Sequence, residues 1–231
     1  MKRLMLLTAL LGAFFVFGGS AARPVEASGD LDALLKKMEK AQQELKSLKA
    51  ELKQDRVNTQ IGSTDTDFGT VIYKPAVGKG RLRIDYIKPD TRTVAVVGES
   101  FVMYQPRINQ VVKTTVAKAT KGRTGSYTSI IGLDGSAKSL AGDYNISIVK
   151  DEMVNGQMTT QLHLTPKRPG QIASLDIWVS HQSNLPIQQK FVERNGDYTL
   201  VQLNKLETNI KLADEAFVVK YPSSVVVVDK I

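Results

Sequence analysis

Residues 68–114 constrain the fold most strongly, because short runs of alternating apolar and polar residues recur along them. In the run 81–87, Leu82, Ile84 and Tyr86 fall on one side of an extended chain, and charged residues fall on the other. This period of two is typical of a β-strand with one apolar and one polar face. Each run ends at Gly, Pro, Asn or Asp, which favour turns. The segment therefore predicts consecutive antiparallel strands joined by tight turns.

Strands are predicted on both sides of residues 118–142, which lack the strand rhythm. Before that segment, the predicted strands cover residues 68–74, 81–87, 92–98, 100–105 and 108–116. After it, alternation and the hairpin pairs Asn155-Gly156 and Asn195-Gly196 predict further strands, of which the last two cover residues 217–221 and 225–229. Ten or eleven strands and one long helix indicate an α+β fold. We expect a large antiparallel sheet, curled towards a barrel, with helices on one side.

A long amphipathic helix is predicted over residues 28–53, capped by Ser28 or Asp30. Its apolar residues recur at spacings of three, four and seven and form a single stripe: Leu31, Leu34, Leu35, Met38, Leu45, Leu48 and Leu52. We expect this helix to pack on the sheet. The alternatives are a helix on a membrane surface and a coiled coil, for which the stripe is short.

The N-terminal residues have the pattern of an export signal. A basic start precedes an apolar run over residues 4–17, and small residues follow the run. Cleavage fits after Ala22 or Ala27, with Ala27 preferred, whereas a membrane anchor would need about 20 apolar residues. We therefore expect residues 1–27 to be a signal peptide, residues 28–231 to form a single domain, and the mature protein to lie outside the cytoplasm.

Composition excludes several kinds of chemistry. The chain has no cysteine, so it has no disulfide, thiolate metal site, cysteine nucleophile or lipid-modified N-terminal cysteine. The net charge is +8, but Lys and Arg are scattered and are not interleaved with aromatic residues, so nucleic-acid binding is not expected. His163 and His181 are the only histidines, and neither has the spacing of a metal or catalytic site. We expect no enzyme activity, metal or cofactor.

The alternating strands leave an extended apolar face to be explained. Its candidate members are Leu82, Ile84, Tyr86, Phe101, Met103, Tyr144, Ile146, Ile148, Leu162, Leu164, Leu175 and Ile177. Helices can fill such a face completely. They can also roof a cavity that holds an acyl chain, whose burial gains about 0.8 kcal/mol per CH₂ group. The pattern alone leaves both arrangements open.

Residues 118–142 contain five glycines and two short amphipathic pieces, at 127–133 and 136–141. Their larger apolar residues are Ile130, Ile131, Leu133 and Leu140. We expect short helices or an ordered loop with glycine hinges. A movable cover over the apolar face and a plain surface connection fit these residues equally well.

Several short motifs in this order resemble the outer-membrane lipoprotein carrier family, the LolA-like carriers. The matching pieces are GTVIYKP at residues 69–75, YIKP at 86–89, VGE at 97–99, VMYQPRINQV at 102–111, LTPK at 164–167 and FVVKYPSSV at 217–225. Their order and spacing carry the resemblance, which covers nearly all of the chain after the leader.

The resemblance implies an unclosed half-barrel of eleven strands, with short lid helices over an apolar cavity. It further implies a soluble, monomeric carrier in the periplasm that binds the acyl chains of lipoproteins or other lipids. Such a carrier takes cargo from an inner-membrane lipoprotein-releasing transporter and passes it to an outer-membrane acceptor. The alternative is a periplasmic sensor or interaction module that binds lipid or lipoprotein without shuttling it.

The chain departs from the family pattern at two positions. Lys74 stands where the family has the arginine that closes the lid, so the resemblance makes Lys74 the candidate lid latch. Lysine lacks the planar, forked donor of arginine. Met103 stands where the family has a tryptophan. The resemblance also makes the apolar residues of 118–142 the candidate lid and the apolar face the candidate cavity lining.

Overall fold

A computed structural model of the chain describes residues 27–76, 80–119 and 137–229. Its helices are α1 (Ala27–Glu44), α2 (Val116–Ala119) and α3 (Ala137–Asp143), and 3-10 turns cover Pro106–Ile108 and Asp214–Phe217. Its strands are β1 (Leu48–Asn58), β2 (Ser63–Lys74), β3 (Arg81–Lys88), β4 (Arg92–Val97), β5 (Ser100–Gln105), β6 (Gln110–Thr115), β7 (Tyr144–Val154), β8 (Gln157–Pro166), β9 (Ile172–Ser180), β10 (Pro186–Glu193), β11 (Tyr198–Thr208) and β12 (Val226–Val228).

Hydrogen bonds join all twelve strands into one sheet. The strand order is β12-β6-β5-β4-β3-β2-β1-β11-β10-β9-β8-β7, so β1 pairs with β11 and links the two halves of the chain. Every neighbouring pair is antiparallel except β12 and β6, which are parallel. Among the described residues the two edge strands, β12 and β7, do not pair with each other. The predicted α+β class and unclosed sheet are confirmed, with twelve strands where about eleven were expected.

The predicted helix over residues 28–53 is wrong in its second half. Helix α1 ends at Glu44, and a turn leads into β1 at Leu48. The leucines at 45, 48 and 52 fit a helical stripe, but Leu48, Ala50 and Leu52 also alternate with charged residues. Pairing with β2 on one side and β11 on the other satisfies the backbone hydrogen bonds of β1. These residues therefore form a strand and do not continue the helix.

The prediction of a strand over residues 217–221 is also wrong. A 3-10 turn covers Asp214–Phe217, and the residues after it run over the sheet without joining its ladder. The strand predicted at 225–229 is confirmed only over Val226–Val228. The strand predicted from residue 108 begins at Gln110, because the 3-10 turn at Pro106–Ile108 occupies the connection.

One face of the sheet, named here the inner face, is apolar across both halves of the chain. The registers place Leu52 opposite Leu203 on β11, and Gln189, a buried polar side chain of β10 on this otherwise apolar face, opposite Ile177 on β9. Ile177 in turn lies opposite Leu162 on β8. The other face, the outer face, carries mostly charged and polar side chains on β1 to β3. The predicted single apolar face is therefore continuous through the β1–β11 junction.

The described residues form three clusters of buried apolar side chains, two of which lie on the inner face, and Phe191 packs against both of these two. The first cluster joins β1 to β5 and β11 and includes Leu48, Leu52, Val71, Val94, Val96, Val201 and Leu203. The second cluster joins β8 and β9 to α1 through Met38, with Leu31, Leu34 and Leu35 packed against it. Within the described residues, no helix has the length and apolar character needed to cross a membrane.

Candidate functional site

The predicted lining residues of β3 and β5 all belong to the first cluster. Leu82, Ile84 and Phe101 are completely buried, Tyr86 is almost so, and Met103 is partly buried. They lie on one face because of the pairing across β4. Leu82 and Ile84 of β3 lie opposite Val96 and Val94. On the other side of β4, the same two valines lie opposite Phe101 and Met103 of β5. The structure thus brings together side chains from adjacent strands, as period-two alternation requires.

The remaining seven predicted lining residues belong to the second cluster. Leu162, Leu164, Leu175 and Ile177 are buried, while Tyr144, Ile146 and Ile148 on the edge strand β7 are partly buried. Burial and the charge of Asp143 raise the pKa of Tyr144 above its ordinary value. Helix α1 covers this cluster with its apolar stripe, so this half of the inner face is packed against a helix.

Helix α1 leaves open space along one of its sides. A groove of about 510 Å³ lies between α1 and the turn at residues 181–185, and another of about 540 Å³ lies between α1 and strands β7 and β8. Lys37, His181 and Asn184 line both grooves. The helix that roofs the second cluster is therefore bordered along one side by two solvent-accessible grooves, which follow one another along the helix.

The predicted lid is described only in part. Leu140 lies on α3 and packs against the second cluster, beside α1. Ile130, Ile131 and Leu133 lie outside the described residues. The assignment of these four residues to a lid stays a prediction.

Lys74 lies on the outer face and contacts the C-terminal segment. Its Nζ donates a hydrogen bond to Asp214 Oδ1 at 3.0 Å and is 3.5 Å from the carbonyl oxygen of Leu212. Arg81 pairs with the same carboxylate, and the hydrogen bonds from Arg81 and Lys74 lower the pKa of Asp214. In the structure Lys74 is thus paired with Asp214. The role of Lys74 as a lid latch stays a prediction.

Arg83 continues this attachment of the C-terminal segment. Its guanidinium is held by Asp85 and donates to the carbonyl oxygens of Ala216, at 3.1 Å, and Val218, at 3.0 Å. Phe217 is buried between these contacts. Alternation placed Arg81 and Arg83 correctly on the polar side of β3, but nothing in their spacing indicated that they hold a distant segment.

A charged cluster, which sequence reasoning missed, ends the apolar part of the inner face. The carboxylate of Asp67 is 1% exposed and accepts two hydrogen bonds from Arg92, at 3.0 and 2.7 Å, and one from Arg56, at 2.7 Å. The Arg92 guanidinium lies 3.8 Å from the centre of the Tyr86 ring, and the Tyr86 hydroxyl donates to Gln54 Oε1 at 3.1 Å. These side chains satisfy one another's hydrogen bonds, and the carboxylate offsets part of the charge of the two arginines, where Leu52, Gly69 and Ile84 give way to polar residues.

Opposing effects act on the ionisation of Asp67. Burial tends to raise the pKa of its carboxyl, whereas the hydrogen bonds and charges of Arg92 and Arg56 lower it, and the pKa lies below its ordinary value. The alternation of β2 could have revealed that Asp67 is buried. Every second residue of this strand points to the inner face, and Asp67 is in step with Gly69, Val71 and Tyr73.

The histidines make local contacts. His163 Nδ1 lies 2.7 Å from Asp176 Oδ1 on the outer face, and His181 Nε2 lies 2.9 Å from the Thr160 hydroxyl. In the part of the chain that the structure describes, no group of three or more His, Asp or Glu side chains is arranged to hold a metal ion. The arrangement of the inner face suits burial of apolar surface.

The fold is similar to several solved structures of low sequence identity. A chain of the Pseudomonas aeruginosa MucA/MucB complex is 15% identical with a TM-score of 0.53, and the match covers 83% of this chain but only 61% of that one. An uncharacterized conserved protein of Thermus thermophilus is 12% identical with a TM-score of 0.57, over 87% and 99% of the two chains. LprF of Mycobacterium bovis is 12% identical with a TM-score of 0.51, over 81% and 98%. These similarities concern the fold.

The sequence also matches a family described as outer membrane lipoprotein carrier protein LolA, over residues 43–220. Among curated proteins, none matches the chain. The family match extends from the end of α1 through the segment that crosses the outer face, and so includes both halves of the sheet. The chain therefore belongs to the LolA family of outer membrane lipoprotein carrier proteins.

Proposed function

We propose that this protein binds the acyl chains of lipoproteins, or of similar acylated lipids, on the inner face of its sheet and carries them through the periplasm from the inner to the outer membrane. The observation that carries the proposal is the continuity of this face, on which Phe191 joins the two apolar clusters. An inner-membrane releasing transporter and an outer-membrane acceptor are the proposed partners. The protein acts as a monomer, without covalent chemistry.

The energetics of such a face suit a transfer protein. Burial of about 14 CH₂ groups gains roughly 11 kcal/mol before the costs of binding are subtracted. Opening the site separates helices from apolar side chains and so offsets part of that gain. Helix α1, with grooves along one side, is one element whose displacement would expose the second cluster.

A second candidate function is a periplasmic module that binds lipid or lipoprotein without shuttling it. The observation that favours it is the similarity in fold to a chain from the MucA/MucB complex, which shows that proteins of this fold also take part in protein complexes. Binding without shuttling requires the same apolar face but no release to an acceptor. The two functions therefore differ in transfer and not in the binding site.

Extraction of cargo from membranes tests the proposal and separates the two functions. Inner-membrane vesicles of the host, which carry an acylated lipoprotein and are supplied with ATP, are incubated with the processed protein and then sedimented. We expect the lipoprotein to leave the pellet in a complex with the protein, and a variant of the lipoprotein that lacks acylation to form no complex. A protein that binds a free fatty acid but leaves the lipoprotein in the pellet would be a binding module, and one that does neither would contradict both functions.

A further inference from the structure

Three hairpin connections lie side by side at one end of the sheet. They are residues 59–62 between β1 and β2, residues 89–91 between β3 and β4, and residues 106–109 between β5 and β6. Because the strands run antiparallel in the order β6 to β1, these connections share one end, named here the loop rim. Neighbouring connections are two strands apart, or about 10 Å, so the loop rim spans about 20 Å.

Two connections of the loop rim present an isoleucine to solvent, and a third isoleucine lies near the end of β3, just before the middle connection. Ile61 is 75% exposed and Ile108 is 55% exposed, and Ile87 is exposed at the end of β3. Turns favour Gly, Pro, Asn, Asp and Ser, and a β-branched side chain contributes nothing to their geometry. The exposed isoleucines Ile61 and Ile108 are thus not explained by the geometry of their turns, and Ile87 extends the exposed apolar surface between them.

Several backbone N–H groups of the two outer connections have acceptors on the protein, among them that of Thr59, which donates to Asp197 at 2.9 Å. Asn58 Oδ1 accepts hydrogen bonds from the N–H groups of Gln60, at 3.1 Å, and Ile61, at 3.2 Å. At the other connection, the N–H of Asn109 donates to the carbonyl oxygen of Pro106 at 3.0 Å. Turns whose N–H groups are satisfied internally can enter a medium of low polarity at reduced cost.

The pattern of side chains on the loop rim fits a lipid surface. The connections that carry Ile61 and Ile108 are four strands apart, or about 20 Å, with polar residues between them, whereas a stable protein interface requires a continuous patch of about 800 Å² on each partner. Lys88 adjoins Ile87, and Arg107 adjoins Ile108 but is paired with Asp90 at 3.0 Å. Charge therefore adds little, and insertion of the aliphatic tips supplies most of the attraction.

We infer that the loop rim docks on the surface of a lipid bilayer by inserting Ile61, Ile87 and Ile108 among the head groups. This binding is separate from the inner face, because the three side chains belong to neither apolar cluster. Such contacts would lengthen the time for which a protein that handles membrane lipids stays bound to the bilayer. The inference does not depend on which cargo the inner face takes.

Flotation with vesicles tests the inference. The processed protein, recovered from the envelope of its host, is mixed with vesicles of equal parts phosphatidylcholine and phosphatidylglycerol and floated through a density gradient. We expect the double variant Ile61→Asp with Ile108→Asp to bind about tenfold more weakly than the wild type, since two inserted aliphatic tips are replaced by charges.

The matched control uses the opposite end of the sheet. Met153 is 58% exposed and Met158 is 45% exposed, and they face each other across the β7–β8 hairpin. The double variant Met153→Asp with Met158→Asp should float like the wild type, and high salt should weaken wild-type binding less than about threefold. Wild-type protein that does not float, an equal loss in both double variants, or binding that high salt abolishes would each overturn the inference.

Discussion

Replacement of Asp67 by asparagine is expected to lower the free energy of unfolding at neutral pH by about 3 kcal/mol, because it leaves two arginines without their buried carboxylate. Arg92 is the more enclosed of the two and loses both of its hydrogen bonds to a charged acceptor. Arg56 is partly exposed and can turn into water, so the loss lies at the lower end of the range for buried ion pairs. Urea unfolding followed by circular dichroism measures the change.

Asp90→Asn is the matched control for this variant. Asp90 also pairs with an arginine, Arg107, but both side chains of that pair are exposed. Exposed ion pairs contribute between zero and about 1 kcal/mol, so the control should lose less than 1 kcal/mol. Equal losses in the two variants would mean that burial adds nothing to the Asp67 cluster.

The same variant should change the dependence of stability on pH. The pKa of Asp67 is lowered in the folded state, so its contribution is fully present above the pKa of an unfolded aspartate, about 3.9, and is lost as the pH falls through the folded-state pKa. Below about pH 4, wild-type protein should therefore lose stability more steeply than Asp67→Asn. Parallel curves for the two proteins would contradict the assigned ionisation.

Replacement of Met103 by glutamate is expected to weaken the binding of a fluorescent fatty acid roughly a hundredfold, because it places a carboxylate on the apolar inner face. Met103 pairs with Val94 and Val112 and packs against the first cluster, so the new charge would have apolar neighbours. Its partial burial makes it a better test than Ile84 or Phe101, at which a charge is also predicted to weaken binding but would enter the closed core.

The adjacent variant Val102→Glu provides the control. Val102 points to the outer face of the same strand and lies opposite Lys113, which can balance the added charge. We expect this variant to bind the fatty acid within about threefold of the wild type. Circular dichroism verifies that both variants fold, and an equal loss of binding in both would place the acyl site somewhere other than the inner face.

The strands of the first half of the sheet could be predicted because their alternation is strict and their turns are marked. The end of α1 could not, since Leu48 and Leu52 fit both a helical and an extended pattern, and only the pairing of β1 with β2 and the distant β11 decides between them. The twelve predicted lining residues do share one face, but their spacing alone does not tell that α1 covers one part of it.

The charged contacts were harder to predict than the apolar face. Asp67 looks like part of a polar connection in the sequence, and its burial depends on Arg56 and Arg92, which come from different strands. The segment after Phe217 has the alternation of a strand, yet Arg83 holds its carbonyl oxygens and keeps it out of the ladder. The Arg83 contacts join residues more than 130 positions apart, and the Asp67 contacts join residues 11 and 25 positions apart on different strands. The alternation within one strand indicates neither.

The most direct test of acyl binding is the mass spectrum of the intact, folded protein recovered from the envelope without detergent. We predict a second species, heavier than the unliganded protein by the mass of an acylated lipid or lipoprotein, which Met103→Glu loses and Val102→Glu keeps. Unliganded protein alone in the wild type, under conditions in which another acyl-binding protein from the same envelope retains its ligand, would contradict acyl binding on the inner face.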